Sequence, residues 1–73
     1  MHRESIMSTN LVSIGHHGTT LEIEYKAGPV VQYYGVSRKL FDEIRNAKSP
    51  GAVVWKELKK KGLPFQKVPS EGE

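Results

Sequence analysis

The periodicity of the apolar residues changes at Ser37, and this change restricts the possible folds more than any other feature of the chain. Before Ser37, apolar and polar residues alternate, most clearly where carboxylates separate Leu21, Ile23 and Tyr25. After Ser37, apolar residues recur three or four positions apart, as on one face of a helix. The sequence therefore predicts an α+β domain in which strands precede helices.

Three strands are predicted, at residues 11–14, 21–25 and 30–34, and short turns join them. Gly28 lies in the second turn, where glycine readily adopts a positive φ. Short connections make consecutive strands antiparallel neighbours, so we expect a three-stranded antiparallel β-meander. The alternation in the middle strand predicts that both of its carboxylates lie in water.

Two helices should follow the strands. We expect them at about residues 38–47 and 50–61, because Ser37 is a typical N-cap and Ser49-Pro50 is a typical helix start. Gly62 should end the second helix, and a short extended C-terminal tail should follow.

Both helices are amphipathic, so we expect them to pack on one face of the sheet. Helical spacing places four residues of the second helix on its inner arc and leaves Val53 outside that arc. The four are Gly51, Val54, Trp55 and Leu58. Trp55 is thereby predicted to belong to the core. The opposite face of the sheet is predicted to be exposed or to meet a partner.

The length of 73 residues allows one modest core and one domain. We expect a folded unit at residues 10–68 between flexible termini at 1–9 and 69–73. The chain has no cysteine, which excludes disulfides and thiolate chemistry and is typical of the cytoplasm. No stretch predicts a signal peptide or a membrane span, so we expect a soluble cytoplasmic protein.

The sequence favours a binding module over an enzyme, because no catalytic constellation or phosphate-binding loop is present. His16 and His17 are adjacent on a strand, so their side chains point to opposite faces and do not form a metal site. We therefore expect no metal and no cofactor.

Several short motifs follow one another along the chain: Ser8-Thr9-Asn10-Leu11, Ile14-Gly15, residues 21–25 with their glycine turn, Tyr33, Val36-Ser37, residues 47–51 and Leu63-Pro64-Phe65. Taken in order, these motifs resemble the KTSC domain, a module found at the carboxyl end of some lysyl-tRNA synthetases and as stand-alone bacterial and phage proteins. The resemblance covers nearly the whole folded unit and implies its fold and a role in RNA binding.

The sequence departs from the family pattern at two places. The family's tyrosine-any-tyrosine motif falls on Val31-Gln32-Tyr33, so only its second tyrosine is present, and Tyr34 is an additional aromatic residue. After Gly51, the family has two aromatic residues and an asparagine, where this chain has Val53, Val54 and Trp55.

The leading functional prediction is RNA binding, which agrees with the net charge of +3. Tyr33 and Tyr34 are adjacent on a strand, so one should be buried and the other exposed for stacking against a base. Exposed cations of the two helices should form a basic surface for phosphates. These cations are Arg38, Arg45, Lys48, Lys56, Lys59, Lys60 and Lys61.

Two alternatives remain open at the level of sequence. The chain could be a protein-interaction module, such as a phage-type inhibitor of a host protein, that uses the uncovered sheet face or an edge strand, with Val53 as an anchor. It could also sequester a small anionic nucleotide in an oligomer, where Lys and Tyr side chains of neighbouring chains converge. Trp55 and Val53 are the alternative ligand-binding candidates.

Overall fold

The computed structural model describes residues 2–68 and shows an α+β domain with one antiparallel sheet. The strands follow one another across the sheet in the order β1-β2-β3-β4-β5. The elements are β1 (Glu4–Ser5), β2 (Leu11–His17), β3 (Thr20–Tyr25), β4 (Val30–Tyr34), α1 (Arg38–Asn46), α2 (Pro50–Val54), a π-helical turn (Trp55–Lys59) that continues α2, and β5 (Phe65–Val68).

Within residues 2–68 the sheet has five strands, so the prediction of three strands was wrong in number. β2, β3 and β4 correspond to the predicted meander, whereas β1 and β5 are additional strands at its two edges. β1 lies within the segment 1–9 that was expected to be flexible, and it pairs over only two residues. β5 begins in the expected extended tail and pairs with β4 from Tyr33↔Phe65 to Val30↔Val68. The predicted flexible terminus at 69–73 lies outside the described residues.

The helix boundaries follow the predicted capping residues. The Ser37 side chain accepts a hydrogen bond from the Leu40 N–H at 3.1 Å and caps α1. Ser49 occupies the N-cap position of α2 without a side-chain capping bond, and its carbonyl accepts from the Ala52 N–H at 3.1 Å. Gly62 follows the helix with a φ of 71°, as predicted for a helix end. No helix within residues 2–68 is long and apolar enough to cross a membrane.

The hydrophobic core lies between the helices and one face of the sheet. Alternate residues of β2, β3 and β4 point towards α1 and α2, and each large apolar side chain that is buried there contributes about 1.5–3 kcal/mol. The core consists of Leu11, Ile14, Leu21, Ile23, Val31, Tyr33, Val36, Phe41, Ile44, Val54 and Leu58. His16 extends this layer, because its ring stacks on Phe41 at 5.1 Å between centroids.

The second helix presents a different face to the core from the one predicted. Trp55 is 61% exposed, and Val53 packs against the core, so the predictions for both residues were wrong. The cause is the π-helical turn, in which the Lys60 N–H donates to the Trp55 carbonyl five residues earlier at 2.9 Å. In this wider turn the rotation about the helix axis is less than the 100° per residue of an α-helix. Leu58 therefore lies closer to the side of Val53, and Trp55 lies outside the buried face.

The opposite face of the sheet carries a layer of hydrogen-bonded polar side chains. Glu22 is only 6% exposed, so the prediction that it lies in water was wrong. Its carboxylate accepts from Arg3 Nη1 at 2.7 Å and from Gln32 Nε2 at 2.9 Å. Beside it, the hydroxyl of Ser13 donates to Glu24 at 3.0 Å. We refer to these five side chains as the polar layer.

Gly15 allows the N-terminal segment to cover part of this face. A Cβ atom at Gly15 would collide with the carbonyl oxygen of His2 and would crowd the side chain of Arg3. The absence of a side chain at Gly15 therefore lets Arg3 approach Glu22. The chain's own polar side chains therefore occupy this face of the sheet.

Candidate functional site

A groove of about 810 Å³ lies between the second helix and the sheet, on the side of β3, β4 and β5. It borders the core and opens to solvent, because both buried and exposed residues line it. We call it the aromatic groove, after its aromatic and cationic lining. This lining consists of Tyr25, Tyr33, Trp55, Phe65, Lys26, Lys59 and Lys67.

Tyr25 and Tyr33 form the polar part of the groove floor. Their hydroxyl oxygens lie 3.0 Å apart, and Tyr33 is only 3% exposed. Burial, reinforced by the hydrogen bond to Tyr33, raises the pKa of Tyr25 far above its usual value, so this phenol stays neutral at physiological pH. The pair has two hydroxyl hydrogens and uses one between its oxygens. Within residues 2–68 the other has no acceptor.

Two aromatic side chains at the mouth of the groove are largely exposed. Trp55 is 61% exposed and Phe65 is 62% exposed, which is unusual for side chains of this size in a small domain. The Phe65 ring lies 5.8 Å from the Tyr33 ring at an interplanar angle of 43°. Trp55 comes from the π-helical turn, and Phe65 comes from β5, so two separate elements present flat apolar surfaces to the same groove.

The charged side chains that line the groove within residues 2–68 are all lysines. Lys26, Lys59 and Lys67 line it, and no Asp or Glu among residues 2–68 does. The Lys59 ammonium lies 5.0 Å from the centre of the Tyr25 ring, so a cation–π contact holds it over the floor. An aromatic groove with a positive rim and no carboxylate favours a ligand that combines a flat apolar part with a negative charge.

The predicted RNA-binding tyrosines lie on opposite faces of β4, and neither is a freely exposed ring. Tyr33 forms part of the groove floor. Tyr34 is half-buried on the other face, where its hydroxyl lies 3.2 Å from the Gln32 side-chain oxygen and 3.3 Å from that of Gln66. The helices lie on the face of Tyr33, so the basic helical surface and Tyr34 do not form one site. The structure thus places Tyr34 and the cations of the helices on different faces of the sheet.

The predicted arginines are engaged at a distance from the groove. Arg38 and Arg45 both lie over the ring of Phe41, at 5.1 Å and 5.7 Å. Both pair with Asp42, at 3.4 Å and 3.5 Å, and Arg45 also pairs with Glu4 at 3.6 Å. Neither arginine lines the aromatic groove.

The predicted lysines are also dispersed. Of this set only Lys59 lines the aromatic groove, and Lys48 lines a separate cavity. Lys56 and Lys60 are exposed on the second helix outside both cavities. Lys61 donates to Glu57 at 2.8 Å, and this hydrogen bond lowers the pKa of the Glu57 carboxyl. The lysines of this set are therefore divided between the groove, the separate cavity and the surface outside both.

Sequence reasoning missed four residues of the groove lining: Tyr25, Lys26, Phe65 and Lys67. Phe65 was placed in the expected C-terminal tail, because the strand that carries it was not predicted. The alternation of Phe65 and Lys67 with residues of the opposite face was the available signal, but four residues at a sheet edge give a weak pattern.

A second cavity, of about 660 Å³, lies beside the aromatic groove. Residues 6–9, Leu11, Val12 and the start of α2 line it, together with Lys48. Met7 also lines it and is 94% exposed. Leu11 and Lys26 line both cavities, so the two are adjacent.

No group of three or more metal-ligating side chains is present within residues 2–68. His16 is committed to its stack on Phe41, and its Nε2 atom lies 2.8 Å from the Val36 carbonyl oxygen. His17 is exposed at the end of β2. The groove is therefore the site that the geometry supports best.

Comparison with known proteins identifies the family. The model of the KTSC domain matches residues 7–61, which is most of the chain, so the chain belongs to the KTSC domain family. The crystal structure of a KTSC domain protein from Yersinia pestis is similar over 93% of this chain and 97% of that chain, with a TM-score of 0.80 and 25% sequence identity. The resemblance seen in the sequence is thereby confirmed. No curated protein matches the chain.

Proposed function

We propose that the chain is a small binding module for single-stranded nucleic acid, in particular RNA, and that the aromatic groove is its base-binding site. The observation that carries this proposal is the pair of exposed aromatic residues, Trp55 and Phe65, beside three lysines in a groove that no carboxylate of residues 2–68 lines. The proposal retains RNA from the sequence analysis but replaces Tyr34 and the arginines by the lining of the groove.

The chemistry of the groove matches that of a nucleotide. A base stacked on an exposed aromatic side chain contributes about 1–3 kcal/mol without requiring a particular sequence. Lysine ammonium groups at the rim bind phosphates and release counterions. The free hydroxyl hydrogen of the Tyr25–Tyr33 pair can donate to a carbonyl oxygen or ring nitrogen of a base.

The first test uses the intrinsic fluorescence of Trp55, which is the only tryptophan of the chain. A titration with a randomised single-stranded RNA octamer should change its emission, because a stacked base contacts the indole directly. If the groove lysines contact three phosphates, the logarithm of the affinity should fall with the logarithm of salt with a slope of about −2. Unchanged emission, or binding that salt does not weaken, contradicts the proposal.

Variants locate the interaction. Trp55→Ala and Phe65→Ala should each weaken binding of a fluorescently labelled octamer by about 5- to 150-fold, as expected from the loss of one stacked base. Lys59→Ala should weaken it and lower the salt dependence. Lys39→Ala is the matched control, because Lys39 is an exposed lysine of α1 that lines neither cavity. Equal losses for Lys59→Ala and Lys39→Ala would show that the groove is not the site.

A second candidate function is supported by the outer edge of β5. β5 is the last strand in the sheet order, so within residues 2–68 its outer edge has no paired strand. An extended peptide could add to this edge and place an apolar side chain against Phe65. Immobilised protein should then retain one stoichiometric protein partner after nuclease treatment, whereas loss of the partner on nuclease treatment supports nucleic acid as the ligand.

A further inference from the structure

We propose that the ligand is an oligonucleotide strand that runs from the aromatic groove across Lys26 into the second cavity, and that a mononucleotide fills only part of this path. This inference rests on the proposed function, because it assigns the length and course of the nucleic acid. It adds Lys48 and Met7 as contacts that the groove alone does not include.

The two cavities share two lining residues, Leu11 and Lys26. Leu11 is 1% exposed and lines both cavities, so it forms a shared apolar floor. Lys26 also lines both, and its side chain is exposed above that floor. The Lys26 N–H donates to the Asn10 carbonyl at 2.9 Å, which fixes the backbone of the junction. A strand that passes from one cavity to the other must therefore pass Lys26.

The second cavity repeats the chemistry of the groove. Lys48 and Lys26 supply positive charge, and no Asp or Glu of residues 2–68 lines it. Met7 supplies an exposed apolar surface on which a base can pack. Lysines thus recur along the path, from Lys59 through Lys26 to Lys48, which suits a ligand whose negative charges also recur along its length.

The volumes support a ligand longer than one nucleotide. The cavities measure about 810 Å³ and 660 Å³, and each is in the range that holds one drug-sized molecule. A mononucleotide is of that size and carries its phosphates at one end, so it can fill one cavity but cannot contact Lys59 and Lys48 together. A strand of several nucleotides can do so.

The test compares two lengths of randomised-sequence single-stranded RNA, a dinucleotide and an octanucleotide, by NMR titration. The dinucleotide should shift the indole N–H resonance of Trp55 and leave the Met7 methyl resonance unchanged. The octanucleotide should shift both. Lys48→Ala should lower the salt slope of octanucleotide affinity by about 0.7, the value for one phosphate contact in a single strand, and should leave dinucleotide affinity unchanged. Lys39→Ala is the charge-matched control.

The outcomes separate this inference from the proposed function. If the octanucleotide shifts Trp55 alone and binds Lys48→Ala as it binds Lys39→Ala, the path is overturned and the groove stands as the site. If neither RNA shifts Trp55, the proposed function and the path are both overturned. If the dinucleotide shifts both Trp55 and Met7, two nucleotides already span both cavities, and the inference that a strand of several nucleotides is needed is overturned.

Discussion

The ion pair between Arg3 and Glu22 should be worth far more than the other ion pairs of the domain. Its shortest N–O distance is 2.7 Å, and the side chains are 28% and 7% exposed. Arg3→Ala leaves the Glu22 carboxylate nearly buried without its cation. Removing one partner of a fully buried pair costs about 3–5 kcal/mol, and exposed pairs contribute about 0–1 kcal/mol. Because water can reach Glu22 once Arg3 is shortened, we expect a loss of about 2–3 kcal/mol in the free energy of unfolding.

This loss is large for a domain of this size. A change of 1 kcal/mol shifts the melting temperature by about 4–8 °C in domains of 60–100 residues, so Arg3→Ala should lower it by about 10–20 °C. Urea unfolding followed by circular dichroism measures the same effect as a free energy. Arg38→Ala is the matched control, because its pair with Asp42 is exposed on both sides and should contribute less than about 1 kcal/mol.

A second substitution tests the cause. If the cost arises from a buried charge, Glu22→Gln in the Arg3→Ala background should restore part of the lost stability, because a neutral amide can still form hydrogen bonds to Gln32. If the double variant is no more stable than Arg3→Ala, the cost comes from the loss of N-terminal packing, and the reasoning about the buried carboxylate is refuted. A loss below 1 kcal/mol for Arg3→Ala would refute it directly.

Three further predictions concern stability. Gly15→Ala should cost about 1–3 kcal/mol in urea unfolding, because its Cβ would collide with the His2 carbonyl, and wild-type stability would contradict that close approach. Since the pKa of Tyr25 is raised in the folded state, its contribution is complete below pH 10 and is lost as pH rises further; Tyr25→Phe should flatten the decline of stability above pH 10. Leu58→Ala should cost about 2–5 kcal/mol, whereas the exposed Trp55→Ala should cost less than about 1 kcal/mol, and equal costs would contradict the observed helix face.

The central part of the fold was predictable because its signals are local. The alternation of apolar and polar residues predicted β3, and the capping residue Ser37 predicted the start of α1. Gly28 and Gly62 indicated a turn and a helix end. The two edge strands were not predictable in the same way. β1 has two residues and β5 has four, and each is held by pairing with a neighbouring strand rather than by a periodic apolar face.

The candidate site was predicted less well than the fold, and Trp55 shows why. Helical spacing alone places Trp55 with Val54 and Leu58, but the π-helical turn changes the angle between residues, and no apolar pattern predicts that change. The burial of Glu22 in the sheet was not predictable for a similar reason. Its carboxylate pairs with Arg3, which is distant in the sequence. Burial of single residues depended on contacts between distant segments, which periodicity does not describe.

The position of β5 has a consequence for the order in which the domain folds. β1 to β4 pair with strands that are close in sequence, whereas β5 pairs with β4 only after both helices have intervened. Closing such a long loop makes this pairing slow relative to the hairpins, so we expect β5 to join the sheet late and to detach first. Phe65 and Lys67 complete the aromatic groove, so a ligand that binds them also holds the last strand in place, and amide hydrogen exchange in β5 should slow when the groove is occupied.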